Sequence, residues 1–359
     1  MKIGIAVTTD IAFDQRVLKI AGSLAKHGHQ VKVFGRSKGM DHKLNVPFEY
    51  KLIKCWFAKS FLFYAEYNLR LFFVLLKSNC DIICACDLDT ILGSAMAVFL
   101  KKKKLVFDAH EYFEESIEII HKKKIKKVWE WIGKICVPGT ASRYTVSQSL
   151  ASELSIKYGR EFQLIRNVPV SSCPILKESQ QKIIWYQGAI NEGRGLECMI
   201  ECMLELSDYS FYMAGDGDIL LDLRSKVKEL NLDNRVHFLG KLNYSSMLDY
   251  SSLAFVGIDL LDSTSKSYYF SLSNKTFDYM HAVLPSIQMN FPEYKAIHDQ
   301  YKIGVLIDKV DSKNILAAIR KLEDDDFYEQ CVSACKMASK IFNWEEEERI
   351  LVELYEKLN

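Results

Sequence analysis

MKIGIAVTTDIAFDQRVLKIAGSLAKHGHQVKVFG, residues 1–35, decides the fold class. Lys2 to Val7 reads as a short buried strand, rich in β-branched and small apolar residues. Asp14 then sits where a helix N-cap belongs. Val17, Ile20, Ala21, Leu24 and Ala25 follow at helical spacing, and Gly28 ends the helix. Val31 to Phe34 is the next strand. Strand, helix and strand within 35 residues is a βαβ unit, which implies a parallel sheet with helices on both faces.

The same alternation continues. Strands are expected at 81–85, 104–107 and 143–146, each followed by a helical stretch. Residues 167–178, NVPVSSCPILKE, hold two of the six prolines and form the best linker. Strands then restart at 182–186, 210–214, 235–238, 254–258, 285–289 and 304–307. The reading is two doubly wound α/β domains, 1–166 and 179–342, with a last helix behind Asn343 (residues 343–359) packing back near the first.

Composition narrows the function. The chain has 359 residues, 47 Lys+Arg, 46 Asp+Glu and a net charge of +1, so nothing global draws it to nucleic acid. The ten cysteines form no C-x-x-C pair, which argues against a zinc site and suits a reducing cytoplasm. Cys198/Cys202 and Cys331/Cys335 read as buried small hydrophobes. The longest apolar run, Ile91 to Leu100, is well short of the ~20 residues a spanning helix needs.

In open parallel sheets, ligands bind beyond the carboxyl ends of the strands. Three strand ends carry chemistry. Asp108-Ala109-His110-Glu111 follows one strand. Gly188 to Gly195, GAINEGRG, follows another and holds Arg194. Gly215-Asp216-Gly217-Asp218 follows a third. Glycine lets the backbone approach an anion, a helix N-terminus offers free N–H groups, and a guanidinium fork suits phosphate oxygens. Two such loops in one domain point to a diphosphate. The chain has no G-x-x-x-x-G-K-[ST], and no G-x-G-x-x-G after the first strand, which excludes a P-loop and disfavours a nicotinamide site. His110 between two acids is suited to hydrogen bonding a polar ligand.

With these motifs in order, the sequence resembles glycosyltransferase family 4. The carriers are DQRVLKIAGSLAKHGHQV (14–31), FDAHEYFEE (107–115), IRNVPV (165–170), YQGAINEGRGLECMIECM (186–203), YMAGDGD (212–218), VHFLGKL (236–242), LSNKTFDYMHAVLPSI (272–287) and FNWEEE (342–347). The resemblance implies a GT-B fold, two Rossmann-like domains facing a central cleft. It implies a retaining glycosyltransferase that takes a UDP- or GDP-linked sugar without a metal or other cofactor. By position, Arg194 holds the donor diphosphate. Gly188, Gly215 and Gly217 form its backbone cradle, and His110 contacts the donor sugar. The segment Ser271, Leu272, Ser273 to Lys275 faces the diphosphate, Asp278 binds the ribose, and 236–241 resembles the nucleobase edge. Asp14, Arg16 and Glu111 are the acceptor-side candidates. The sequence departs from the family at Phe270, where Glu is usual, at Ala189, where some relatives carry a second cation, and at Val283, where Gly is usual. Lys275 is the candidate replacement for the missing cation. The rival readings are a nucleotide-sugar epimerase and an inactive binding subunit.

Residues 121–134, HKKKIKKVWEWIGK, hold six Lys and one Glu, with Ile125, Val128, Trp129 and Ile132 on one helical face. An aromatic-rich stretch, 54–77, accompanies them. Both fit a peripheral enzyme that lies on an anionic inner-membrane face and takes a glycan or lipid-linked acceptor. The expected product class is a surface polysaccharide precursor.

Overall fold

The computed structural model describes residues 1–37, 44–171 and 182–358. The second half of the expected linker, with Cys173 and Pro174, lies outside the described residues. The chain divides into two units, Met1–Asn167 with Glu347–Asn359, and Val168–Glu346.

Among the described residues, unit 1 carries a parallel sheet of β1 (Lys2–Ala6), β2 (Gln30–Arg36), β3 (Glu49–Ile53), β4 (Ile82–Cys86), β5 (Lys104–Ala109), β6 (Ser142–Thr145) and β7 (Gln163–Leu164). Its order is β3-β2-β1-β4-β5-β6-β7. Ile3 aligns with Val31 on one side and with Ile82 on the other, so the order reverses at β1 and β4. Unit 2 repeats the plan with β8 (Ile183–Gln187), β9 (Ser210–Ala214), β10 (Val236–Gly240), β11 (Val256–Asp259), β12 (Ser286–Met289) and β13 (Gly304–Ile307), in the order β10-β9-β8-β11-β12-β13. Its reversal lies between β8 and β11.

Helix α1 (Gln15–Lys26) starts as read: the Asp14 carboxylate accepts from Val17 N, and Val17, Ile20, Ala21 and Leu24 are buried. Helices α2 (Ser60–Leu76), α3 (Leu88–Lys101), α4 (Ile117–Ile120) and α5 (Lys123–Cys136) follow in unit 1. The final helix, Trp344–Glu356, begins behind Asn343, whose Oδ1 accepts from Glu346 N at 3.1 Å. It closes unit 1: Glu347 accepts from Arg166 N (2.8 Å) and Nη1 (3.0 Å), and Tyr355 is fully buried.

Candidate functional site

In unit 1 the site begins at the reversal point of the sheet. Asp87 follows β4 directly and takes φ +56° with ψ 172°, a strained region that is otherwise left to glycine. This turn returns its carboxylate toward the end of β5, where Oδ1 accepts from His110 N at 2.8 Å. His110 Nε2 lies 2.9 Å from Asp108 Oδ2, and Nδ1 lies 3.6 Å from Asp87 Oδ2. Asp108 is fully buried and clamped from the opposite side by Arg16. Nη2 of that guanidinium donates to Oδ1 at 2.7 Å, Nε reaches both oxygens, and Nη1 donates to Ile165 O at 2.9 Å.

This geometry sets the charges. Burial opposes ionisation of Asp108, but Arg16 and His110 outweigh it and hold its pKa at about 2. Burial would likewise lower the His110 pKa. The Asp108 carboxylate, with Asp87 behind it, pushes it up to about 10 instead. His110 is therefore an imidazolium at neutral pH, a donor of hydrogen bonds and not a general base. Burial drives the Asp87 pKa upward, opposed by His110.

The acceptor-side expectations come out unevenly. Arg16 is 3% exposed and its guanidinium is spent on Asp108 and Ile165, so it presents nothing to a substrate. Asp14 is half-buried, caps α1 and accepts from Thr9 Oγ1 at 2.6 Å. Glu111 is exposed. Among the described residues, Cys86, Asp108 and His110 place potential metal-ligating atoms within 4.8 Å of one another. Arg16 already occupies both Asp108 oxygens and His110 carries its proton, so a metal ion there would meet two cations.

In unit 2 the expected donor residues converge at the other reversal point. The loop after β8 folds against the loop after β9: Gly188 N donates to Ala214 O (2.9 Å) and Ile190 N to Asp216 O (3.0 Å). A Cβ on Gly215 would stand 1.8 Å from Gly188 O, and one on Gly217 would stand 2.2 Å from Ile190 O. These two glycines are therefore needed for the loops to touch, whatever binds there. Gly188 differs. A Cβ there would be in ordinary van der Waals contact with the Tyr186 hydroxyl and the Lys275 side chain, at 3.6–3.9 Å, so Lys275 lies beside the Gly188 backbone.

Lys275 lies in the first turn of the helix Asn274–His281, and its Nζ is 3.0 Å from Asp259 Oδ1, at the end of β11. Burial lowers its pKa against the opposing pull of Asp259, and nearby Arg194 lowers it further. Asp259 Oδ2 accepts from Ser273 Oγ and from Tyr294 OH (3.0 Å). Arg194 lies 4.7 Å over the Tyr268 ring. Its Nε is buried, and nothing among the described residues hydrogen-bonds it. Lys275 thus pairs with a buried carboxylate that also acts electrostatically on Arg194, whose Nε–H is left unsatisfied. A buried donor left so costs ~1–3 kcal/mol unless a ligand takes it. Asp278, half-buried, accepts from Gln187 Nε2 (2.6 Å) and Tyr244 OH (3.2 Å), which fixes the carboxylate in one orientation.

Sequence models of the expected type match both halves: Glycosyltransferase Family 4 over residues 14–169 and Glycosyl transferases group 1 over residues 173–340. The chain belongs to the group 1 glycosyltransferases of family 4. No curated protein sequence matches the chain. Solved structures do. Sucrose-phosphate synthase from Thermosynechococcus elongatus superposes with a TM-score of 0.81 at 15% identity, covering 100% of this chain and 99% of that one. Anabaena HepE, solved with UDP and glucose, gives 0.80 at 14%, covering 99% and 100%. WaaG, a glycosyltransferase involved in lipopolysaccharide biosynthesis, gives 0.73 at 14%, covering 98% and 99%. At such identities the likeness shows the fold, and the fold is GT-B with two Rossmann-like units.

The structure adds residues to this family 4 glycosyltransferase site that the sequence alone did not single out: Asp259, Tyr294, Tyr268, Gln187 and Tyr244. Asp259 lies inside the apolar run AFVGIDLLD (254–262), and its position at the carboxyl end of β11 is the one signal that marks it. Val283 takes φ +58°, the left-handed region where a β-branched residue costs about 1–2 kcal/mol, which explains why glycine suits that position.

Proposed function

We propose that this glycosyltransferase moves a hexosyl group from a UDP- or GDP-linked sugar to a glycan or lipid-linked acceptor. Configuration is retained, no metal is needed, and the product serves a surface polysaccharide. The observation that carries the reading is the buried, unsatisfied Arg194 Nε near Lys275, whose side chain lies beside the Gly188 backbone. Charge builds on the diphosphate as the sugar–phosphate bond breaks. Arg194, Lys275 and the N–H groups that open the helix Asn274–His281 are preorganised to receive it. A diphosphate beside Lys275 also favours its charged form, offsetting the burial that depresses it. Asp278 accepts from the ribose hydroxyls, and His110 donates to the donor sugar. HepE, whose structures hold UDP or UDP-glucose, supports the donor class, and the involvement of WaaG in lipopolysaccharide biosynthesis supports the product class. The enzyme works at the cytoplasmic membrane face; no helix among the described residues is long and apolar enough to cross it.

Incubation with a panel of UDP- and GDP-sugars tests the reading through slow donor hydrolysis. One donor should be hydrolysed to the nucleoside diphosphate. Release of an epimerised nucleotide sugar in its place would select the epimerase, and absence of binding to the whole panel would select an inactive subunit.

Two further outcomes are expected. Turnover survives EDTA, because fixed cations do the work a metal would do; loss in EDTA with rescue by Mn²⁺ or Mg²⁺ refutes this and makes Asp87 and Asp89, spaced D-x-D at the start of α3, the first suspects. Asp278→Asn keeps the fold but weakens nucleotide binding by ~1–3 kcal/mol, the scale of a charged hydrogen bond, and erases the preference for ribose over deoxyribose. Titration with UDP and its 2′-deoxy analogue measures both, and unchanged values would remove Asp278 from the site.

A further inference from the structure

Helices α2, α3 and α5 of unit 1 leave a groove of about 430 Å³ between them. Its walls are Phe61, Leu69 and Phe72 from α2, Met96 from α3, and Val128 and Trp129 from α5. The one charged residue in its lining is Lys124. The Asn68 amide, also in the wall, is spent inward: Oδ1 accepts from Gly93 N, and Nδ2 donates to Tyr64 O and Asp89 O. The groove opens to solvent, since Phe61, Leu69, Met96 and Val128 are 63%, 58%, 49% and 41% exposed. An apolar surface of this kind, unshielded in a soluble unit, marks an interaction site.

Charge identifies the occupant. Lys122, Lys123, Lys124 and Lys127 are exposed at the start of α5, beside the groove. The loop before α2 adds an aromatic anchor. Trp56 is 86% exposed, yet held rigidly: Glu66 accepts from Trp56 N (3.0 and 2.9 Å) and Phe57 N (3.0 Å), and Arg70 lies 4.7 Å over the indole. Apolar slot, cationic rim and presented Trp together match the layers of a membrane interface.

We propose that this groove takes the hydrocarbon chain of a membrane lipid with an anionic phosphate headgroup, and that the α5 lysines hold the headgroup. Size favours a chain over a protein partner. One turn of a helix ~10 Å across fills about the same volume, so a partner helix would engage by a single turn. A cavity of ~150 Å³ accepts a benzene molecule, so this groove has room for roughly three six-carbon groups, or one alkyl chain of comparable length. The proposal rests on the membrane-side reading above for the enzyme's location and on none of its sugar chemistry.

Calorimetry with monomeric alkyl phosphates, in the absence of any sugar nucleotide, tests it. Dodecyl phosphate should bind the wild-type chain at one site, and inorganic phosphate should not. Each two-carbon extension of a shorter homologue should tighten binding about tenfold. Dodecyl maltoside, equal in chain but uncharged, should bind more weakly, and changing the four lysines to Gln should remove that difference. Leu69→Trp and Val128→Trp each fill the groove from an exposed position and should weaken dodecyl phosphate at least tenfold with the melting temperature retained. Equal binding of butyl and dodecyl phosphate overturns the proposal without reference to any variant. So does undiminished binding in both filled variants, or a wild-type dimer in sedimentation that both substitutions dissociate, which would seat a second copy in the groove. Donor hydrolysis is measured separately, so either reading can fail alone.

Discussion

Asp108→Ala should cost about 3–5 kcal/mol of unfolding free energy, because it leaves the Arg16 guanidinium buried without its counter-ion. Arg16 is 3% exposed and Asp108 is fully buried, so water cannot replace the lost partner. Against a typical total of ~5–15 kcal/mol the loss is severe. Urea titration of the two proteins measures it. Replacing both partners with apolar residues, Arg16→Met with Asp108→Leu, should recover much of the loss, since no uncompensated charge remains. The deficit also depends on pH. Asp108 has a folded pKa of about 2 against an ordinary 3.8, so its contribution is present above 3.8 and lost as pH falls through about 2. His110 has a folded pKa of about 10 against 6.5, so its share is full below 6.5 and lost as pH rises through about 10. The wild-type advantage should therefore be greatest between these limits, from about pH 4 to 6.5. The His110 ring proton resonances should not titrate near neutrality in the wild-type chain. In Asp108→Ala, burial acts with less opposition and the pKa should fall sharply. A stability loss under 1 kcal/mol, or a wild-type His110 titrating near pH 6.5, would show that the cluster is not coupled in this way.

Arg194→Ala should lower turnover by ~10²-fold or more, the usual loss when one preorganised stabiliser of developing charge is removed. Folding should survive. Arg194 Nε makes no hydrogen bond among the described residues, so truncation removes an unsatisfied donor and exposes the Tyr268 face. Arg194→Lys should recover only part of the rate: lysine restores charge but not the planar fork that meets two phosphate oxygens. Comparing donor turnover among the three proteins measures this. Wild-type turnover in Arg194→Ala would place the diphosphate elsewhere.

The fold was legible because buried parallel strands are short apolar runs. KIGIA, IICAC and IIWYQ announce themselves, and the helices between them show their apolar stripe. β3 was missed because EYKLI is an edge strand that alternates exposed and covered residues, and β7 because two residues carry no pattern. The convergence of the proposed donor residues was legible for a related reason. Gly188 and Arg194 stand in the loop just beyond β8, and Lys275 stands in the first turn of the helix Asn274–His281. Asp259 was hidden inside an apolar run, and its contact with Lys275, 16 residues on, is a product of the β11–loop–helix geometry. Arg16 shows the opposite limit. As the second residue of α1, just beyond the first strand, it stands among the acceptor-side candidates, but its partner Asp108 lies 92 residues away. Nothing local in the sequence distinguishes a buried strut from a surface cation.

The central claim is that Arg194 and Lys275, beside the Gly188 backbone, receive the diphosphate of the donor. Calorimetric titration of UDP, UMP and uridine, with the GDP series in parallel, tests it most directly when run in EDTA on wild-type and Arg194→Ala protein. One diphosphate should bind the wild-type chain at least tenfold tighter than its monophosphate, without metal, and Arg194→Ala should remove this advantage. Equal affinity for diphosphate and monophosphate, or an advantage that persists in Arg194→Ala, would contradict it.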